Sequence, residues 1–91
     1  MRYKPWERQK IVGGLRSPQV TSVEKFVLML LNEWTGMEGY SNIENFELIA
    51  EEAILSCEDL GEVINSLRRK GLIRVYGNSC QLIYSAMVQP K

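Results

Sequence analysis

The chain has 91 residues, of which 45% are hydrophobic and 24% charged, and its eleven basic residues balance eleven acidic ones. This length fits one compact domain, and the ordinary composition indicates neither a disordered chain nor a membrane protein. The longest apolar run, Phe26 to Leu31, is too short for a transmembrane helix.

Residues 1–20 are predicted to form a basic amino-terminal arm. They show no sustained hydrophobic period and contain two glycines and two prolines, so a short strand is the most regular structure expected there. The first residues are charged and no apolar segment of a signal peptide follows them. We therefore expect a cytoplasmic protein without a secretory signal.

A first helix is predicted to begin at Thr21 or Ser22 and to end at Trp34. Thr21 and Glu24 fit a capping box, in which a hydroxyl and a carboxylate bind the free amides of the first turn. Residues 35–42, with two glycines among polar neighbours, are predicted to form a loop. Apolar residues at helical spacing are expected to bury one face of the helix: Val23, Phe26, Val27, Leu30, Leu31 and Trp34.

Two further helices are predicted downstream. One runs from Asn45, its expected cap, to Ala53. The next begins after Ser56, which forms a second capping-box pattern with Asp59, and ends at Gly71, because glycine can take the left-handed conformation of a helix end. The residues expected to face inward are Phe46, Ile49, Ala50 and Ala53 in one helix, and Leu60, Val63, Ile64 and Leu67 in the other.

A β-hairpin is predicted after the last helix. Two runs rich in strand-forming residues, Leu72 to Tyr76 and Cys80 to Tyr84, are separated by a turn of Gly77, Asn78 and Ser79. The predicted fold class is therefore mainly α with a small β-hairpin. We expect one domain over residues 21–86, followed by a tail over residues 87–91.

The segment from Ile49 to Arg74, IAEEAILSCEDLGEVINSLRRKGLIR, resembles the helix-turn-helix of winged-helix regulators. In that family a short helix, a turn ending in Leu-Ser, a recognition helix and a terminal Lys-Gly-Leu-Ile lead into the first wing strand. With residues 21–34 included, the chain is similar to the winged-helix domains of phage replication-initiation and regulatory proteins. The resemblance implies a three-helix core plus a wing, binding to DNA, and a role in transcription or replication with a viral or mobile-element origin.

Two positions depart from the pattern of this family. Ile54 stands where the family usually has glycine in the turn, and isoleucine is poorly suited to a left-handed conformation, so a looser or differently built turn is expected. The third helix is the second departure, because family members place basic or polar donors on its exposed face. Here that face is expected to carry Cys57, Glu58, Gly61, Glu62, Asn65 and Arg68.

Two functions remain open at this point. In the first, the chain binds double-stranded DNA through basic and polar residues, with Asn65, Arg68, Arg69, Lys70 and Arg74 in the domain and Arg2, Lys4, Arg8 and Lys10 in the arm. Basic residues in the last turn of a helix also complement its dipole wherever they occur. In the second, the acidic residues Glu58, Asp59 and Glu62 form a contact surface for a protein partner. A homodimer is a further hypothesis, since such domains often pair to match two-fold operators.

The sequence contains no catalytic or metal-binding pattern. It has no histidine, no glycine-rich phosphate loop and only two cysteines, Cys57 and Cys80, which are expected to be reduced thiols. We therefore expect no enzymatic activity, no cofactor and no metal ion.

Overall fold

The computed structural model describes residues 3–35, 40–42, 46–77 and 79–88. These residues form a mainly helical fold with a small antiparallel sheet, as predicted at that level. Arg2, Asn45 and Asn78, for which we predicted a DNA contact, a helix cap and a turn, lie outside the described residues. The elements are α1 (Pro5–Gly13), α2 (Ser22–Trp34), β1 (Tyr40–Asn42), α3 (Phe46–Ala53), α4 (Cys57–Arg69), β2 (Ile73–Tyr76), β3 (Ser79–Leu82) and α5 (Tyr84–Met87).

Helix α1 lies within the predicted arm, where at most a short strand was expected, so that expectation was wrong. Pro5 lies in its first turn, where an amide hydrogen is not needed. The backbone N–H of Lys4 donates to the Glu7 carboxylate at 3.0 Å. The helix packs against α2 and α5 and buries Val12, and Leu15 beyond it is also buried. So few of its residues face the core that no hydrophobic period marks it in the sequence.

The predicted caps of α2 and α4 are present. The Thr21 hydroxyl accepts from the Glu24 backbone N–H at 3.1 Å, and the Glu24 carboxylate accepts from the Thr21 N–H at 2.8 Å. At α4, the Ser56 hydroxyl accepts from the Asp59 N–H at 3.0 Å, which is one half of the predicted capping box. Each bond satisfies a backbone donor that the helix itself leaves free. Local sequence therefore determines where both helices begin.

The buried face of α2 is rotated from the predicted one. Val23 and Phe26, which we expected in the core, are 44% and 45% exposed, whereas Leu28 is fully buried. The rotation arises because α1, α3, α4 and the sheet all pack against α2 and leave one side open. The predicted core residues that are buried in α2 are Val27, Leu30 and Leu31.

The turn between α3 and α4 is tightly closed, contrary to the expectation of a looser one. Ile54 has a φ of 56°, in the left-handed region. Its N–H donates to the Glu51 carbonyl at 3.1 Å, and the Leu55 N–H donates to the Ala50 carbonyl at 2.9 Å. These two bonds form a Schellman motif. Gly71, with a φ of 77°, closes the end of α4 in the same way.

Replacing Ile54 by glycine is expected to raise the free energy of unfolding by up to about 1 kcal/mol, because glycine accepts a left-handed φ without strain. The Ile54 side chain is 90% exposed, so its removal costs little packing. Urea denaturation measures the difference. The control is Ile54→Ala, which keeps the Cβ atom and should bring no gain. A glycine variant less stable than the natural protein would contradict this prediction.

The sheet has three strands in the order β1-β3-β2, all antiparallel, where only a hairpin was predicted. Gly77, with a φ of 53°, lies in the predicted turn of the β2–β3 hairpin. Strand β1 lies in the segment predicted as a loop and pairs with β3. β3 ends at Leu82, and Tyr84, assigned to that strand from the sequence, begins α5 instead.

One hydrophobic core joins the helices to the inner face of the sheet. Leu15 and Met87 are buried although they lie outside the predicted domain of residues 21–86. No helix in the described ranges is long and apolar enough to span a bilayer. The largest fully buried side chains include Leu15, Leu28, Leu31, Ile49, Leu60, Leu67, Ile73 and Met87.

Candidate nucleic-acid interface

The exposed face of α4 carries opposite charges at its two ends. The predicted core residues Leu60, Ile64 and Leu67 are buried, and Val63 packs partly buried against the core, so the opposite side of the helix faces outward. The predicted outer positions are exposed, except for Gly61, which is half-buried. The amino-terminal half exposes Glu58, Asp59 and Glu62, and the last turn exposes Arg68 and Arg69.

A groove of about 450 Å³ lies between the carboxyl end of α4 and the hairpin. Arg68 contributes from α4, and Arg74 and Tyr76 contribute from β2. The left-handed conformation of Gly71 turns the chain from the helix into the strand, which brings Arg68 and Arg74 to the same groove. The helix end that we predicted at Gly71 thus positions the two arginines of this groove.

The arginines at this groove are open to a ligand. In the described part of the chain, the side chains of Arg68, Arg69 and Arg74 make no ion pair or hydrogen bond. A guanidinium group offers several donors in a plane and suits phosphate oxygens. Asn65, on the same helix one turn before Arg69, is also exposed. We call Asn65, Arg68, Arg69 and Arg74 the basic patch.

Lys70, which we also predicted as a DNA contact in this region, forms an ion pair with Glu24 of α2. Its Nζ atom lies 2.6 Å from Oε1 of Glu24, a residue that is only 4% exposed. The Ser66 hydroxyl donates to Oε2 of the same carboxylate at 2.7 Å. The amino end of α2 is therefore tied to the carboxyl end of α4 by a buried carboxylate.

This arrangement lowers the pKa of the Glu24 carboxyl group. Burial by itself would raise the pKa of Glu24, because it disfavours the charged form. The hydrogen bonds from Lys70, Ser66 and the Thr21 amide outweigh burial and lower that pKa from 4.5 to about 2. Glu24 is therefore ionised at neutral pH. Apart from the capping box, no sequence pattern indicated this ion pair, since Lys70 is distant from Glu24 along the chain.

The basic residues of α1 lie away from the basic patch. Lys4 and Lys10 are exposed, and neither lines the groove beside Arg68. The Arg8 guanidinium lies 5.5 Å from the centre of the Tyr84 ring, in a cation–π arrangement. α1 packs against α2 and α5, whereas the groove is built by α4 and β2. The predicted DNA contacts of the arm and those of α4 therefore do not line the same groove.

The acidic half of α4 forms a second charged surface. Asp59 and Glu62 line a groove of about 380 Å³ that leads to Ser66 and Lys70. Glu58 is exposed in the first turn. Within the described ranges, no group of three or more acidic or cysteine side chains could hold a metal ion.

Tyr76 is the site residue that sequence reasoning missed. It is 48% exposed at the end of β2 and lines the groove with the two arginines. The sequence places Tyr76 at the end of the predicted first strand, two residues after Arg74. Alternate residues of a strand share a face, so this spacing could have placed Tyr76 beside Arg74.

Comparison of the chain with protein-family models, with curated proteins and with solved structures found no match.

Proposed function

We propose that the protein is a winged-helix domain that binds double-stranded DNA and regulates transcription or replication. In this proposal α2, α3 and α4 are the three-helix core, α4 is the recognition helix and the β2–β3 hairpin is the wing. The order of these elements and the closed turn at Ile54 support the assignment. The family resemblance of residues 49–74 supports it independently.

The basic patch is the observation that carries the proposal. Arg68 and Arg74 open into one groove from two different elements, and the exposed Arg69 follows Arg68 in the last turn of α4. Most protein–DNA contacts go to phosphate oxygens, for which unpaired arginines are the suitable donors. The exposed Asn65 supplies an amide that can pair with a base edge, adenine above all.

The acidic half of α4 limits how the domain can approach DNA. Along a helix that rises 1.5 Å per residue, Glu58 and Arg69 are separated by about 16 Å. That distance exceeds the Debye length of about 8 Å at physiological salt, so exposed charges at the two ends act nearly independently. Docking through the carboxyl end of α4 and the wing keeps Glu58 and Asp59 away from phosphate. Insertion of the amino-terminal turn of α4 into the groove of DNA is disfavoured, because it would bring Glu58 and Asp59 against the phosphates.

Replacing Arg68 and Arg69 together by alanine is expected to weaken DNA binding at least tenfold. Two fewer phosphate contacts should also make the dependence of log Kd on log salt shallower by about 2. Fluorescence anisotropy of a labelled random-sequence duplex, titrated at several salt concentrations, measures both effects. Both side chains are exposed, so the fold should be retained.

The matched control is the double change Lys4→Ala and Lys10→Ala, which removes the same charge from α1. This variant is expected to bind DNA almost as the natural protein does, because neither lysine lines the groove of the basic patch. Equal losses in the two variants would mean that only net charge matters. No binding by the natural protein at low salt would reject the proposed function.

The second candidate function is a protein-interaction module that uses the acidic surface of α4. It is favoured by the exposure of Glu58, Asp59 and Glu62 on one helix, next to the 90% exposed side chain of Ile54. If DNA does not bind, an Ile54→Asp variant and the natural protein should be compared as baits in extracts. A partner retained only by the natural protein would favour this function.

A further inference from the structure

The outer side of α2 exposes a contiguous set of apolar side chains. Val23, Phe26 and Met29 are 44%, 45% and 42% exposed, although α2 is the helix against which α1, α3, α4 and the sheet pack. Single exposed apolar residues are common on protein surfaces, but several on one helix face indicate a contact surface. We call Ser22, Phe26, Met29 and Glu33 the α2 seam.

The spacing of the α2 seam is that of a helix that packs against another helix. Its four residues are separated by four, three and four positions, and all four are exposed. Residues at this spacing lie along one side of a helix and are the positions that face the partner in heptad helix pairs. Phe26 and Met29 supply the apolar contacts of the seam, and the polar Ser22 and Glu33 flank them. The described part of the chain leaves these four side chains exposed.

We infer that the α2 seam pairs with the same seam of a second copy of this chain, antiparallel and about a two-fold axis. A two-fold contact requires a surface that is complementary to itself. With the axis between residues 27 and 28, Phe26 lies opposite Met29 of the other copy, a favourable contact between an aromatic ring and sulfur. Ser22 then lies opposite Glu33 of the other copy, where its hydroxyl can donate to the carboxylate.

Two charges of α2, one in the seam and one next to it, select this orientation. Lys25 lies near the amino end of α2 and Glu33 near its carboxyl end, and neither makes an ion pair within the described residues. Antiparallel pairing brings Lys25 of each copy close to Glu33 of the other, so two ion pairs form. Parallel pairing would place Glu33 beside Glu33, which is repulsive.

The small area of the seam determines the strength expected of the dimer. A stable interface of standard size buries about 800 Å² on each partner, with 20 to 30 residues a side. A seam with two exposed apolar side chains, Phe26 and Met29, next to the exposed Val23, falls below that size. We therefore expect a weak dimer, with a Kd on the order of tens of micromolar. The inference does not depend on the proposed DNA function.

Sedimentation velocity over about 5 to 500 μM protein tests the inference, since this range brackets the expected Kd. The natural protein should show a monomer–dimer equilibrium, and Phe26→Ser should raise its Kd at least tenfold. The matched control is Leu48→Ser, because Leu48 on α3 is equally exposed at 49% but lies outside the seam. This control should dimerise as the natural protein does. Circular dichroism confirms that each variant is folded.

Exchange of the two charges identifies the orientation. Lys25→Glu and Glu33→Lys should each weaken the dimer, because each places like charges together across the axis. The double variant restores opposite charges and should regain most of the natural affinity. A natural protein that stays monomeric at all concentrations, equal weakening by Phe26→Ser and Leu48→Ser, or a double variant no better than the single ones would overturn the inference.

Discussion

Acidification is expected to remove about 3 kcal/mol of folding stability through Glu24 alone, since each pKa unit is worth about 1.4 kcal/mol. The pKa of this carboxyl group is lowered from 4.5 to about 2 in the folded protein. The folded state therefore prefers the ionised form more strongly than the unfolded chain does. The contribution is complete above the unfolded value of 4.5 and is lost as the pH falls towards 2.

The change Glu24→Gln isolates this contribution. At neutral pH the variant should be less stable than the natural protein by about 2 to 3 kcal/mol, because glutamine carries no charge to pair with Lys70. The difference should shrink as the pH is lowered from about 5 to about 3, which urea denaturation at a series of pH values measures. Glu62→Gln, at an exposed position on α4, should keep the acid sensitivity of the natural protein. Parallel pH profiles for the natural protein and Glu24→Gln would refute the assignment.

Truncation of Leu60 to alanine is expected to cost about 2 to 5 kcal/mol, the range for removing a buried leucine side chain and leaving a cavity. Leu60 is fully buried on the inner face of α4, which packs against α2, α3 and β2. The urea midpoint should fall with little change in the slope of the transition.

Leu48→Ala provides the comparison for this prediction. The same atoms are removed from a side chain that is 49% exposed on the outer side of α3, so a much smaller loss is expected. If Leu60→Ala unfolded at the same urea concentration as the natural protein, the buried face of α4 would be assigned wrongly, and with it the exposed face that carries the basic patch.

The elements that could be predicted from the sequence are those with local causes. The caps at Thr21 and Ser56 and the stop at Gly71 depend on residues within one helical turn of each other, and all three are present. β1 could not be predicted, because its pairing with β3 joins distant segments. Phe26 was assigned to the wrong side of α2 because the packing of α1 and α4, rather than the apolar period, decides which side is covered.

In the candidate site too, features with local causes could be predicted and features that depend on the tertiary fold could not. Exposure of Asn65 and Arg68 follows from helix period alone and was predicted correctly. The engagement of Lys70 depends on Glu24, which a capping-box pattern places at the start of α2 but which only the tertiary fold brings to α4. Propensity and period cannot reveal an ion pair between residues so far apart along the chain.

The packing of α1 against α5 determines which part of the fold can form last. Tyr3 and Tyr84, near the two ends of the described chain, have ring centres 6.0 Å apart. Bringing such distant residues together closes almost the whole chain into one loop, at an entropic cost that increases with loop length. That cost falls if the segments between them have already folded. We therefore expect α1 and α5 to dock late in folding and to open first, so that their amides exchange with solvent sooner than those of α2 and α4.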